Sequence, residues 1–184
     1  MNVSVIGLGY VGYTMVACLS NSNKIYGIDT DNNKIELLKK GKSSIVEPGV
    51  NELLNKGINN GNIIATSNLK DAILDTNISF VTVGTPTNKE DGSLDLSQIY
   101  QVSKDIGSYI KLKNSFHIIV IRSTTTPGTN ESVCKIIEET SGKRRDIDFA
   151  VVTNPEFLRE GNAIHDFNNP EIILVGTKNE KAIF

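Results

Sequence analysis

The sequence predicts an α/β fold in which a doubly wound, mostly parallel sheet is covered by helices on both faces. Short apolar runs alternate with longer amphipathic segments along the whole chain, the pattern of repeated strand–helix units. Some of these runs, such as His117-Ile118-Ile119-Val120-Ile121, are apolar nearly throughout, as strands buried on both faces are. A glycine-rich turn, Gly7-Leu8-Gly9-Tyr10-Val11-Gly12, joins the first apolar run to the first amphipathic segment.

In chain order, strands are expected at Val3–Gly7, Lys24–Ile28, Asn62–Ala65, Ile78–Val83, Phe116–Ile121, Phe149–Val152 and Glu171–Val175. Helices are expected at Tyr10–Ser20, Asp31–Lys40, Val50–Asn55, Leu69–Asp75, Leu96–Ile110 and Thr129–Glu139. In the longest, Leu96, Ile99, Val102, Ile106 and Ile110 recur at helical spacing and form one buried face. The polar segment from Thr87 to Ser93 reads as a surface loop, and residues 177–184 as the start of another helix. A chain of 184 residues suits one domain, residues 1–184, with a full hydrophobic core.

Composition narrows the partners. The chain is 39% hydrophobic and 22% charged, with a formal charge of −2, so its overall field gives no reason to expect nucleic acid or an anionic membrane. An anionic ligand must be held by local geometry. Cys18 and Cys134 form no CxxC pattern, which argues against a disulfide or a metal site. The opening Met1-Asn2-Val3-Ser4-Val5-Ile6 has no basic leader, and no apolar run approaches the ~20 residues of a membrane span. A cytoplasmic setting is expected.

The glycine turn carries the first chemistry. In a Rossmann-type strand–turn–helix unit, Gly7 makes the tight turn, Gly9 admits a pyrophosphate to the backbone, and Gly12 lets helix and strand pack closely. The helix that follows offers free N–H groups and the positive end of its dipole. Its context, beginning at residue 7 behind a strand, makes the motif more specific than the glycines alone. The next strand ends in Asp29, close to the ~20-residue spacing of a ribose-binding acid. Its carboxylate can accept from ribose hydroxyls and repel a 2′-phosphate, which favours NAD over NADP; alternatively Asp29 only opens the turn into the next helix.

Polar motifs then follow successive strands: Val83-Gly84-Thr85-Pro86-Thr87, Arg122-Ser123-Thr124-Thr125-Thr126-Pro127-Gly128-Thr129, and Asn154-Pro155-Glu156-Phe157-Leu158-Arg159-Glu160-Gly161. Ligands bind at the carboxyl ends of strands in such sheets, so all three converge on one rim. With GLGYVG, these motifs resemble the N-terminal NAD-binding domain of the UDP-glucose/GDP-mannose dehydrogenase family. Ala163, Asp166 and Pro170 continue the resemblance.

The resemblance implies oxidation of the C6 alcohol of a UDP- or GDP-linked sugar to a carboxylate by two NAD molecules in turn. A cysteine thiol captures the intermediate aldehyde, and water releases the acid. By matched position, Gly7, Leu8, Gly9, Tyr10, Val11, Gly12, Asp29 and Lys34 resemble the contacts to the pyrophosphate and adenosine half. Val83, Gly84, Thr85, Pro86 and Thr87 resemble the lining of the path to nicotinamide, with Ser123 and Thr124 beside it. Thr124 would hold a catalytic water. Glu156 and Glu160 resemble paired acids near C6, Glu160 also meeting the cofactor, and either serves as general acid or base. Phe157, Leu158 and Arg159 resemble the stretch over the substrate.

Full-length family members carry a connecting helix and a second domain that supplies the nucleophilic cysteine and most nucleotide contacts. Neither is expected here, so the chain should bind NAD without completing catalysis alone. Full-length forms are expected to be homo-oligomers. Cys18 and Cys134 read as small core residues. Two other readings stand beside this one: a non-catalytic NAD-sensing module, and a hydroxy-acid dehydrogenase domain that would leave the Asn154–Gly161 motif without a purpose. The Tyr100/Lys104 pair matches the YxxxK of short-chain dehydrogenases, but it falls on a helix with an apolar face and is read as chance.

Overall fold

The computed structural model describes residues 1–183. Its strands are β1 (Asn2–Ile6), β2 (Lys24–Ile28), β3 (Ile63–Thr66), β4 (Ile78–Val81), β5 (His117–Ile121) and β6 (Phe149–Thr153). Helices α1 (Tyr10–Leu19), α2 (Asn32–Lys39), α3 (Val50–Asn59), α4 (Leu69–Asp75), α5 (Ser97–Ile110), α6 (Thr129–Ser141) and α7 (Ala163–Asn168) join and flank them. The strands pair in the order β3-β2-β1-β4-β5-β6, every pairing parallel. This is the doubly wound order of a Rossmann fold.

Side-chain alternation divides the core between the two faces of the sheet. Ile6, Val81, Ile119 and Ile121 meet Ile73 of α4, Ile99 and Ile106 of α5, and Val133 and Ile137 of α6. Val3, Val5 and Ile25 meet Tyr13 and Val16 of α1, Leu38 of α2, and Val50 and Leu54 of α3. Cys18 and Cys134 are buried and unpaired. Among the described residues, no helix is long and apolar enough to cross a membrane, and no cluster of His, Cys, Asp or Glu is placed to hold a metal.

The expected strand at Glu171–Val175 does not form. The segment touches the sheet through one antiparallel bridge, Thr153 with Gly176, and Ile172 and Ile173 are 64% and 73% exposed. An apolar run becomes a strand only if an edge and a covering layer receive it, and here no helix covers it. Residues 177–183 hold only a 3₁₀ turn, Glu180–Ala182, in place of the expected helix; Phe184 lies outside the described residues. α3 runs past Asn55 through Gly57, where a Cβ would stand 2.5 Å from Ile63 Cδ1. Close packing against β3 therefore accounts for the glycine inside this helix.

At the amino end of the sheet, Ser4, Ser79 and His117 share one face across β1, β4 and β5 and are fully buried. They are satisfied by one another: Ser4 Oγ lies 2.6 Å from Ser79 Oγ, which lies 2.8 Å from His117 Nε2. Lys113 Nζ donates to His117 Nδ1 (3.2 Å), the Ile73 carbonyl (2.7 Å) and the Thr76 carbonyl. The lysine thus assigns the neutral tautomer, with Nε2–H donating to Ser79.

Burial, reinforced by the adjacent Lys113 charge, pushes the His117 imidazole down from 6.5 to about 3. Between those pH values the unfolded chain binds a proton that the folded chain refuses, so stability falls as the pH drops through that window. The expected loss is about 2 kcal/mol between about pH 7 and 5, read by urea unfolding at each pH. His117→Asn should flatten that segment; an unchanged slope would contradict the assignment.

Candidate functional site

β1 and β4 are neighbours at the centre of the sheet, and the order continues from them toward opposite edges. A parallel sheet opens a crevice at the carboxyl ends of such a pair. A cleft of about 1050 Å³ lies there, at the upper end of the range for cofactor sites. Gly7, Leu8, Gly9, Tyr10, Val11, Asp29, Lys34, Val83, Gly84, Thr85, Ser123, Thr124 and Glu156 all line it. Gly12, Pro86 and Thr87 do not.

The turn from β1 into α1 is held from both sides. Gly7 N donates to Ile28 O (2.8 Å), Leu8 N to Asp29 Oδ2 (2.7 Å), and Thr82 Oγ1 to Gly7 O (2.7 Å). Gly12 lies so close beneath the turn that a Cβ there would stand 1.9 Å from Gly7 O. At Gly9 a Cβ would meet nothing within 4 Å, so the backbone faces open space on the ligand side. α1 has no side-chain cap, which leaves its first amides, at Tyr10 and Val11, for an anion. These features fit a pyrophosphate.

Asp29 has two tasks. Oδ2 accepts from Leu8 N and from Lys34 Nζ (3.1 Å), and Oδ1 accepts from Asp31 N (2.9 Å). A carboxylate has about four acceptor positions, so one remains free on Oδ1. Desolvation raises its pKa, but the bonds from Asp31, Leu8 and Lys34 outweigh that and hold the carboxyl below its ordinary value. It stays charged. Asp31, a second acid that the sequence reading did not single out, lines the same cleft.

At the far end, Ser123 Oγ donates to Val83 O (2.7 Å) and so braces the loop after β4. Thr124 is exposed to the cleft, and its hydroxyl makes no hydrogen bond among the described residues. Glu156 is partly buried, with Oε2 accepting from Leu158 N (2.7 Å). Arg122 lines this cleft and a second one of about 540 Å³. Its Nη1 donates to Asn154 Oδ1, while the buried Nε has no partner among the described residues. An orphaned guanidinium donor between two clefts is a signal the sequence reading passed over.

The Asn154–Gly161 motif is divided. Phe157, Leu158 and Arg159 line the second cleft with Ile172 and Ile173. Arg159 is held in a two-point pair with Asp166, at 2.7 Å and 3.0 Å, which keeps the Asp166 carboxyl well below the usual range. Glu160 is exposed and lines neither cleft, so of the two acids only Glu156 opens on the dinucleotide side. The reading also missed Glu47, a buried acid that accepts from Tyr10, Gly161 and Ala163. No local motif marks it.

The sequence pattern of one family, described as "UDP-glucose/GDP-mannose dehydrogenase family, NAD binding domain", matches residues 1–183. The chain is 46% identical over 178 residues to GDP-mannose 6-dehydrogenase of Pseudomonas aeruginosa, covering 96% of this chain and 41% of the relative. It is 38% identical over 177 residues to UDP-glucose 6-dehydrogenase of Rhizobium meliloti, covering 96% and 39%. Among solved structures, a ternary complex of GDP-mannose dehydrogenase from Pseudomonas aeruginosa matches with TM-score 0.96 and 44% identity over 98% of this chain and 42% of that one. UDP-glucose dehydrogenase from Pyrobaculum islandicum matches with TM-score 0.91 and 35% identity over 98% and 41%. The chain therefore spans about two fifths of the length of these relatives.

The two glycines separate fold from binding. Gly12→Ala forces a backbone clash and should lower the melting temperature by about 5 °C or more. Gly9→Ala meets no protein atom, so the melting temperature should stay within about 2 °C while dinucleotide affinity falls about tenfold or more. Calorimetry and thermal denaturation distinguish the two; equal binding by Gly9→Ala and the parent chain would place the pyrophosphate elsewhere.

Proposed function

The chain belongs to the UDP-glucose/GDP-mannose dehydrogenase family as its NAD-binding domain, and on that premise we propose that it is the NAD-holding part of an enzyme oxidising the C6 alcohol of a nucleotide sugar to a carboxylate. The observation that carries this reading is that Gly9, Asp29, Thr124 and Glu156 open on one cleft at the carboxyl ends of β1, β2, β5 and β6.

NAD, when bound in this cleft, would supply the hydride acceptor. The residues of the chain do the rest: the Tyr10 and Val11 amides hold pyrophosphate, and the spare acceptor on Asp29 Oδ1 holds a ribose hydroxyl. Val83, Gly84 and Thr85, braced by Ser123, line the way to the reacting end. There the free Thr124 hydroxyl orients a water, and Glu156 moves a proton between that water or the C6 oxygen and the cleft. Neither cysteine is the thiol that captures the aldehyde, since burial pushes both up to about 11. The family resemblance assigns that nucleophile to a second domain.

The higher identity to GDP-mannose 6-dehydrogenase than to UDP-glucose 6-dehydrogenase, 46% against 38%, favours a GDP-linked sugar. The family resemblance supports a homo-oligomeric whole enzyme.

Calorimetric titration of the chain should show NAD binding, with NADP weaker by about tenfold or more. Asp29→Asn is the sharper variant, because an amide oxygen still accepts from Leu8 N while the charge is gone; it should narrow the NAD/NADP gap. Equal affinities in the parent chain would defeat the assignment of Asp29.

A further inference from the structure

We infer that Glu47 is a positioning residue that couples the dinucleotide turn to the loop carrying Glu160. The inference rests on the NAD reading above and adds a residue outside every motif that led to it.

Glu47 lies between α2 and α3, where its neighbour Val46 is 97% exposed and Glu47 itself only 8%. A carboxylate is not buried without partners, and this one takes them from distant parts of the chain. Tyr10 Oη donates to Oε2, Gly161 N donates to Oε2 at 2.7 Å, and Ala163 N donates to Oε1 at 2.9 Å. Gly161 N also lies 3.3 Å from Tyr10 Oη, closing the set. Desolvation raises the Glu47 pKa, but the bonds from Tyr10, Gly161 and Ala163 hold it below its ordinary value. Tyr10 is pushed up to about 12 by burial and by Glu47. Around neutral pH the pair is therefore a carboxylate and a neutral phenol, in fixed roles of acceptor and donor.

The connectivity gives this arrangement a function. Tyr10 is the first residue of α1 and lines the dinucleotide cleft, so a phosphate on the turn restrains the residue whose hydroxyl holds Glu47. Gly161 follows Glu160 directly, and Ala163 begins α7, which packs against α1 through Ile164 and Phe167. Glu47 bridges cofactor turn and substrate loop with hydrogen bonds alone, across 37 residues to Tyr10 and 114 to Gly161. Cofactor binding should therefore firm the loop on which Glu160 stands.

Amide hydrogen exchange at Gly161 and Ala163, with and without saturating NAD, tests this in the parent chain, Tyr10→Phe and Glu47→Gln. In the parent chain NAD should slow both amides by about fivefold or more. Tyr10→Phe removes one hydroxyl and leaves the Glu47 bonds to Gly161 and Ala163 in place, yet it should lose most of that slowing; Glu47→Gln should lose all of it. A plain loop staple would loosen both amides in Glu47→Gln while leaving the response to NAD intact in Tyr10→Phe. That result overturns the inference, as does calorimetrically bound NAD that slows neither amide in the parent chain. If NAD does not bind at all, the preceding functional reading fails first, and this one with it. Should Glu47→Gln fail to fold, Tyr10→Phe still decides.

Discussion

The hydrogen bond from the Leu8 amide to Asp29 Oδ2, 2.7 Å long, ties the tip of the first strand to the tip of the second. Leu8 is fully buried, so its amide cannot turn to solvent, and an unpaired buried donor would be costly. The carboxylate that satisfies it must lie at the end of β2, and parallel pairing of β1 with β2 puts it there. From that one bond follow the closure of the glycine turn, the direction of α1 and the placement of the remaining Asp29 acceptor over the cleft. The same acid thus closes the turn and lines the cleft beside it.

The two ends of the sheet carry different kinds of polar group. At the amino end the Ser4–Ser79–His117–Lys113 chain is closed on itself and buried, and every member has a partner. At the carboxyl end, Thr124 and Glu156 keep unused hydrogen-bonding capacity facing a cleft, and the buried Arg122 Nε beside it has no partner among the described residues. Such unmet capacity would be a fault in a core, but beside a cleft it is capacity for a ligand.

The sequence revealed most where a local pattern and its tertiary use coincide. All five residues of β5, four of them apolar, are buried, and the glycine turn opens α1 between a strand and a cleft as its spacing implies. Elsewhere the deciding force was not local. Glu171–Val175 has the composition of a strand but lacks a covering layer, and α7 is a single short stretch of six residues whose docking on α1 no periodicity could announce. Glu156 and Glu160 look equivalent in the motif, yet only Glu156 lines the cleft at the carboxyl ends of the strands, while Glu160 sits exposed in the following turn. Glu47 was illegible because its partners are scattered over the chain, and no window of sequence contains them together.

The antiparallel contact of Gly176 with Thr153 has a separate consequence. β6 is an outermost strand, and an open strand edge is a template on which another chain can add. Here the protein's own backbone occupies both extremities of that edge: Gly176 exchanges paired bonds with Thr153 at 2.8 Å and 2.9 Å, and Asp146 N donates to Phe149 O at 2.7 Å. Little room is left for a foreign strand to register along β6. The segment that failed to become a seventh strand thus serves as a guard against intermolecular sheet growth.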